Sequence, residues 1–365
     1  MKFSAPREAI LKPLQAVIGV VERRQTMPIL SNVLLVAKDG VLSITATDLE
    51  VELVAEGAVE SAAPGETTVP GRKLHDLVRA LPEAAHLEVA LSGERLTLKA
   101  GRSRFTLSTL APGDFPTIED IAAQQTLEIP AADMQALLEK THFSMAQQDV
   151  RYYLNGMLLE AEGKILRGVA TDGHRLALAE VTLEKAASHG EQVIVPRKGA
   201  LELNRLLSGT GTVALTLGTN HLRAQFESLR LTSKLIDGRF PDYARVIPKD
   251  PANVVTADRG LLRQALQRAA ILSNEKYRGV RLQLAENSMV IQANNPEQEE
   301  AVETLEVEYA GDEMEIGFNV NYLLDALAAV EGGEVCIGVT DADSSCLITQ
   351  PGHDEAKFVV MPMRL

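Results

Sequence analysis

The sequence is short of cysteine, of long apolar runs and of positive charge, and it carries none of the common signatures of catalysis. Its 365 residues include two cysteines, Cys336 and Cys346, too few and too oddly placed for a disulfide scaffold or a zinc site, and in keeping with a reducing compartment. No apolar run approaches the ~18 residues that a membrane helix needs, and the basic-then-apolar pattern of a secretory signal is missing. A cytoplasmic protein with no membrane attachment is expected. Lys and Arg total 36 against 50 Asp and Glu, a net charge of -14, which disfavours a protein that grips nucleic acid through a uniformly basic surface. There is no G-x-x-x-x-G-K, G-x-G-x-x-G, H-E-x-x-H, C-x-x-C or G-x-S-x-G, so the familiar phosphate loops, zincin helices and nucleophile elbows are excluded. No cofactor and no metal is expected.

What is present is an ordinary globular composition, 45% hydrophobic and 24% charged, on a chain longer than the ~250 to 300 residues at which one core stops growing. Two or three domains follow from length alone, and an internal repeat settles on three. SNVLLVAKDGVLSITATDLEVELVAE from Ser31 matches LNGMLLEAEGKILRGVATDGHRLALAE from Leu154 and, more weakly, YRGVRLQLAENSMVIQANNPEQEEAVE from Tyr277. Gly40, Gly163 and Asn287 keep phase, 123 and 124 positions apart. Each segment reads as a β-hairpin turning at Asp39-Gly40, Glu162-Gly163 or Glu286-Asn287, where Gly or Asn supplies a positive φ.

Ahead of each hairpin lies a helical spacing: Ile10, Leu14, Val17, Ile18 and Val21; Met134, Leu137, Leu138 and Thr141; Leu261, Leu262, Ala265, Leu266 and Ala269. Pro13 is expected to kink the first. Behind each hairpin comes a second short helix, marked by Leu74, Leu77, Val78 and Leu81, by Leu203, Leu206 and Leu207, and by Leu323, Leu327 and Val330. Period-2 strands close each copy. The expected fold is α+β: three similar domains, 1–124, 125–249 and 250–365, each with two helices and antiparallel sheets.

Candidate chemistry is sparse. Thr171-Asp172-Gly173-His174-Arg175 places an imidazole beside a carboxylate, a conceivable general base. A turn between strands accounts for Asp-Gly equally well, and the first copy, Thr47-Asp48-Leu49-Glu50, lacks the histidine. Glu297, Glu299 and Glu300 read as a solvated loop before a hard-cation site. Basic pairs recur at one phase: Arg72-Lys73 after Val69-Pro70 and Arg197-Lys198 after Val195-Pro196. Both fall in a helix's first turn, where the dipole opposes cations and favours an anion, so a phosphate contact competes with a plain solvated face. Arg23-Arg24, and Gln147-Gln148 with Arg151-Tyr152-Tyr153, add phosphate-capable and stacking groups. The apolar, Met-rich end from Phe358 to Leu365 reads as a core strand or as an adaptable peptide-binding rim.

Longer strings carry a resemblance. GRSRFTLSTL (101–110), QDVRYYLNGML (148–158), ATDGHRLA (170–177), VIVPRKG (193–199), DGRFPDY (237–243), AILSNEKYRG (270–279), ANNPEQEEA (293–301), EIGFNVNYLLD (315–325) and the terminal VVMPMRL are similar to the bacterial DNA polymerase III beta subunits, the replicative sliding clamps. The likeness spans essentially the whole chain, except that 185–192 matches poorly. It implies the DNA clamp fold, with two protomers closed head to tail into a ring around duplex DNA, and no enzymatic activity. Residues matching family positions that face DNA are Arg24, Arg72, Lys73, Gln148, Tyr152, Tyr153, Arg197 and Lys198, contacting double-stranded DNA without sequence specificity. Phe105 and Leu107 match one side of the family's dimer interface, Ile271 and Leu272 the other.

The resemblance further implies a cleft for short linear motifs of the clamp loader, the replicative polymerase catalytic subunit, translesion polymerases and repair proteins. Its matching residues are Leu154, Thr171, Gly173, His174, Arg175, Leu176, Pro241, Arg245, Val246, Asn319, Tyr322, Ser345, Val359, Val360, Met361, Pro362 and Met363. Two rivals stay open: a hydrolase using His174 with Asp172, and a peptide-binding scaffold that never encircles DNA. A closed ring holds duplex by topology, so the net charge narrows to an expectation of an acidic exterior, with Arg24, Arg72, Lys73, Arg197 and Lys198 facing inward.

Overall fold

A computed structural model describes residues 1–21, 27–118 and 121–364. Among the described residues six α-helices form where the apolar spacing places them: α1 (Arg7–Val17), α2 (Gly71–Ala80), α3 (Ala131–Thr141), α4 (Arg197–Leu206), α5 (Arg259–Ile271) and α6 (Val320–Ala329). Ile18 and Val21 lie beyond the end of α1, and Pro13 falls inside the helix without ending it. Proline removes the donor that would serve the carbonyl four residues back, and that group, Ala9 O, meets Gly57. A Cβ at Gly57 would stand 2.1 Å from it, so only glycine lets the strand Val51–Ala58 approach so closely.

The chain divides into two compact units, Met1–Ala132 with Lys198–Leu235, and Asp133–Arg197 with Ile236–Leu365. Each contains one eight-stranded antiparallel sheet and one smaller sheet. In the first unit the large sheet runs Ala123–Pro130, Thr212–Gly218, His221–Phe226, Leu229–Lys234, Val51–Ala58, Val41–Thr47, Asn32–Lys38 and Gly65–Pro70. Its small sheet runs Glu60–Ala63, Lys2–Pro6, His86–Ser92, Arg95–Ala100 and Ser103–Ser108. In the second unit the large sheet runs Glu191–Pro196, Gly156–Glu162, Ile165–Thr171, Arg175–Thr182, His353–Val360, Cys346–Gln350, Glu334–Val339 and Asn253–Asp258. The small sheet there is Glu300–Glu306, Ser288–Asn294, Gly279–Ala285 and Met314–Asn319.

The repeat governs this arrangement. The second and third copies each supply two half-sheets of four strands, and the first supplies one of four and one of five, the extra strand being Glu60–Ala63. Each eight-stranded sheet joins the hairpin half of one copy to the closing half of the next. The seams are Leu229–Lys234 against Val51–Ala58, with Leu229 opposite Ala55, and Arg175–Thr182 against His353–Val360, with Arg175 opposite Val360. The same strand of the repeat forms both seams, the one that follows the Thr-Asp turn.

The hairpin turns use the predicted left-handed residues: Asp39 and Gly40 have φ of +50° and +77°, Gly163 +55° and Asn287 +54°. In the second copy Glu162 pairs with Ile165, so the turn residues are Gly163-Lys164, one position later than the alignment implied. The second unit's core gathers Leu262, Leu266, Phe318, Leu323, Val335, Ile348 and Phe358, from two helices and both sheets. Cys336 and Cys346 sit on adjacent strands as free thiols. Among the described residues no helix is long and apolar enough to cross a membrane.

Candidate functional site

The Thr-Asp turn is built twice with the same hydrogen bonds. The Thr171 hydroxyl donates to Arg175 O at 2.6 Å and accepts from the Gly173 amide at 3.1 Å, while Asp172 Oδ1 accepts from the His174 and Arg175 amides at 2.9 and 3.0 Å. In the first copy Thr47 donates to Val51 O at 3.0 Å and accepts from Leu49 at 3.1 Å, and Asp48 Oδ1 accepts from Glu50 and Val51 at 2.9 and 2.7 Å. The third residue is left-handed in both, Gly173 at φ +88° and Leu49 at +78°. Asp172 thus spends one oxygen on turn amides and the other on Arg175 Nε, 3.1 Å away. The pairing of His174 with Asp172 on which the hydrolase reading rests therefore loses its carboxylate to the turn.

Beside this turn, within the second unit, lies a cavity of about 160 Å³ lined by Arg151, Leu154, Thr171, Gly173, Arg175, Leu176, Pro241, Tyr243, Val246, Val359 and Met361. Leu176 and Val359 are paired on neighbouring strands, and the Met361 amide donates to His174 O at 2.9 Å, which carries the pairing past the last strand. Val360 turns into the core, 1% exposed, while Met361 is 41% exposed.

Arg175 is held on every side. Its Nη1 meets Asp325 at 2.5 Å, its Nη2 donates to Phe143 O at 2.7 Å, and its guanidinium lies 4.5 Å from the Tyr322 ring centroid. Burial raises the Tyr322 pKa, and the nearby Asp172 carboxylate adds to it. Arg151 grips Asp149 through two bonds of 3.0 and 2.9 Å, which hold that carboxyl down at about 2. A Cβ on Gly173 would come within 2.9 Å of Arg151 Nη2, so this glycine serves both the turn and the packing.

Tyr243 forms the opposite wall and is fixed from behind. Its hydroxyl donates to Glu160 at 2.5 Å and accepts from Arg167 Nη1 at 3.0 Å. Arg167 also bonds Glu160, and binds Glu180 at 2.6 Å, and Gln192 donates to Glu160. Burial pushes the Tyr243 phenol up to about 12, and the Glu160 carboxylate that accepts its hydrogen bond adds to the rise. Burial alone would raise Glu160, yet the bonds from Tyr243, Gln192 and Arg167 outweigh it and leave that carboxyl low.

Nine of the seventeen expected cleft residues therefore line one cavity. Tyr322 backs it through Arg175, His174 is exposed on its turn, and Arg245 is turned outward and paired with Asp242 at 2.8 Å. Asn319 caps α6 by accepting from the Asn321 amide, and Ser345 is half-buried before Cys346. Pro362 and Met363 line a separate hollow with Arg281, Glu315, Gly317 and Asp343. Arg151 and Tyr243 were missed as lining residues, although the first lies within QDVRYYLNGML and the second ends DGRFPDY.

Of the expected DNA-facing groups, Arg24 lies outside the described residues. Arg72 Nη2 donates to Val21 O at 2.5 Å. Arg197 Nη1 donates to His142 O and Met145 O at 3.3 and 3.2 Å, and burial, with Arg175 nearby, lowers its pKa. Lys198 pairs with Asp48 at 2.5 Å. Lys73 and Gln148 are exposed, Tyr152 is 57% exposed, and Tyr153 is half-buried against it, ring centroids 5.8 Å apart. Phe105 and Leu107 lie on the edge strand Ser103–Ser108, half-buried and buried. Ile271, at the end of α5, is 76% exposed, and Leu272 follows it half-buried. Glu297 and Glu299 lie in the connection before the strand Glu300–Glu306 and Glu300 begins that strand, and among the described residues no cluster of His, Cys, Asp or Glu is assembled to hold a metal.

Known proteins agree with this architecture along its whole length. Residues 1–119 match the DNA polymerase III beta subunit N-terminal domain, 128–242 its central domain and 244–364 its C-terminal domain. The beta sliding clamps of Pseudomonas putida and Escherichia coli K12 are each 54% identical, over 367 and 368 residues, covering 100% of both chains. A crystal structure of the Pseudomonas aeruginosa DNA polymerase sliding clamp with ligand superposes with a TM-score of 0.97 at 53% identity, and Caulobacter crescentus pol III beta with 0.95 at 41%, each covering 100% of both chains. Three clamp domains, two continuous seams and a cleft beside the second Thr-Asp turn place the chain in the DNA polymerase III beta subunit family, as a sliding clamp.

Proposed function

We propose that two copies of this chain close head to tail around duplex DNA and tether replication proteins to it without catalysing a reaction. One observation carries this reading. The repeat forms two seams within the chain, each between a post-turn strand and the last strand of the next copy. Two strands of the same kinds are left over: Glu300–Glu306, the post-turn strand of copy three, and Ser103–Ser108, the last strand of copy one, both at sheet edges. A third seam between them needs a second chain, and its symmetry mate completes a closed dimer.

Charge and apolar exposure support that pairing. Arg102 and Arg104 flank or lie on one edge and Glu299, Glu300 and Glu303 flank or lie on the other, while Ile271 and Val302, 76% and 55% exposed, present apolar surface beside the acidic edge. Phe105, Leu107, Ile271 and Leu272 are the apolar interface residues in this reading. The three clamp domains are 1–124, 125–249 and 250–365.

Arg24, Arg72, Lys73, Gln148, Tyr152, Tyr153, Arg197 and Lys198 face the duplex and touch phosphate and sugar, which positions without reading sequence. The cavity beside Thr171 to Leu176 takes short apolar motifs of the clamp loader, the replicative polymerase catalytic subunit, translesion polymerases and repair proteins, with Met361 and Met363 adapting to different ligands. Tethering raises the local concentration of polymerase at the primer end, which is how a dissociating enzyme becomes processive. The compartment is the cytoplasm, where DNA and free thiols coexist.

The test is hydrodynamic. Sedimentation of the full chain at micromolar concentration gives a dimer, and Ile271→Asp with Leu272→Asp gives a monomer with unchanged circular dichroism. A wild-type monomer contradicts the head-to-tail closure.

A further inference from the structure

The geometry points to Asp48 as a residue that limits the grip on DNA: its carboxylate engages Lys198 in competition with a phosphate, so that held duplex slides. The inference rests on the proposed DNA contact of Lys198. Its support is a difference between two copies of one turn. In both, Oδ1 of the aspartate accepts two turn amides. In the second copy the other oxygen is met inside the same hairpin by Arg175, at 3.1 Å. In the first copy Val51 stands at that place, and Asp48 Oδ2 instead reaches the Lys198 ammonium at the start of α4, 2.5 Å away.

The start of α4 is where an anion is wanted. Its first turn carries Arg197 and Lys198 and no acidic residue, so the helix dipole and the lysine favour the same negative partner. Asp48 supplies it from another part of the chain. The Asp48 side chain is 6% exposed and that of Lys198 34%, so the carboxylate is fixed while the ammonium still faces solvent. Lys198 can therefore exchange between the carboxylate and a passing phosphate. A lysine so engaged releases fewer counterions per contact and gives a shallower salt dependence than one without a neighbouring carboxylate.

Asp48→Asn keeps the Oδ1 acceptor of the turn and removes the charge, and Asp48→Ser is a second variant with a short acceptor. The experiment titrates a linear duplex of about 30 base pairs, which enters a closed dimer from its ends, by fluorescence anisotropy over a range of salt. Wild type, both Asp48 variants, Lys198→Ala and the Asp48→Asn/Lys198→Ala double variant are compared. The expected result is roughly three- to tenfold tighter binding by the Asp48 variants and a steeper salt slope by up to about one unit. That gain disappears in the double variant. Tighter binding is an outcome that a damaged fold does not produce. If wild type binds the duplex and the Asp48 variants bind equally or more weakly, the competition is overturned while the DNA reading stands. If wild type does not bind the duplex at any salt, both fall together.

Discussion

The guanidinium of Arg175 lies 4.5 Å from the ring centroid of Tyr322, and this stack joins the turn that walls the cavity to α6, the second helix of the third copy. Asp172, Asp325 and the Phe143 carbonyl complete the shell of Arg175. Lysine keeps the charge but cannot serve three acceptors and a ring with one ammonium. Arg175→Lys should therefore lose about 1–2 kcal/mol of stability in urea unfolding and weaken binding of a polymerase C-terminal peptide. Wild-type behaviour in both measurements would mean that the fork does not hold the wall.

Gly57 tests the helix that carries Pro13. A Cβ at Gly57 meets Ala9 O at 2.1 Å, and that backbone oxygen cannot swing away as a side chain would. Gly57→Ala should destabilise the first unit by about 1–3 kcal/mol, read as a lower melting temperature. An unchanged melt would show that α1 shifts freely on its sheet.

Leu49 and Gly173 occupy the same place in two copies of one turn, both left-handed. The leucine is strained there and the glycine is not. Leu49→Gly should stabilise by about 0.5–1 kcal/mol, whereas Gly173→Ala should destabilise and press on Arg151. Opposite signs in paired denaturation curves are the expected signature, and equal signs would refute the equivalence of the turns.

Glu160 and Tyr243 set the pH behaviour of the cavity wall. The Glu160 carboxyl is lowered in the folded state, so its contribution is present above its ordinary value of 4.5 and is lost as pH falls below that through the folded value. Tyr243 is raised from 10.0 to about 12, so its contribution is complete below pH 10 and fades as pH climbs toward 12. Stability from this pair is flat between those limits. Ultraviolet titration of tyrosinate should show Tyr243 ionising late together with Tyr309 and Tyr322, whose phenols burial also raises, and Tyr243→Phe should reduce that late amplitude by the share of one phenol. A late amplitude undiminished by the substitution would contradict the assignment to Tyr243.

Much of this was legible in the chain because the signals were local. Asp39-Gly40 and Asn287 announce hairpins since few residues accept positive φ, and all six helices follow from apolar spacing. The seams were not legible: the pairing of Leu229–Lys234 with Val51–Ala58 is made by backbone groups far apart in the chain, and backbone hydrogen bonds leave no residue signature. The one-residue slip at Gly163-Lys164 has the same origin, because strand register is fixed across the sheet. Within the cavity the turn was visible as Thr171-Asp172-Gly173, but Tyr243 was not, since its role depends on Glu160 and Arg167 from another strand pair. Resemblance named Arg72 and Arg197 as phosphate contacts without foreseeing that carbonyls of Val21, His142 and Met145 already engage them.

The central claim is that the strands Ser103–Ser108 and Glu300–Glu306 close two chains into a topological link around DNA. Its most direct test is to load the protein onto nicked circular duplex with a clamp loader, cut the circle at one site, and follow the protein by gel filtration. The account predicts co-elution with the intact circle and release after linearisation. Equal retention on circle and line, or no retention on either, would contradict it.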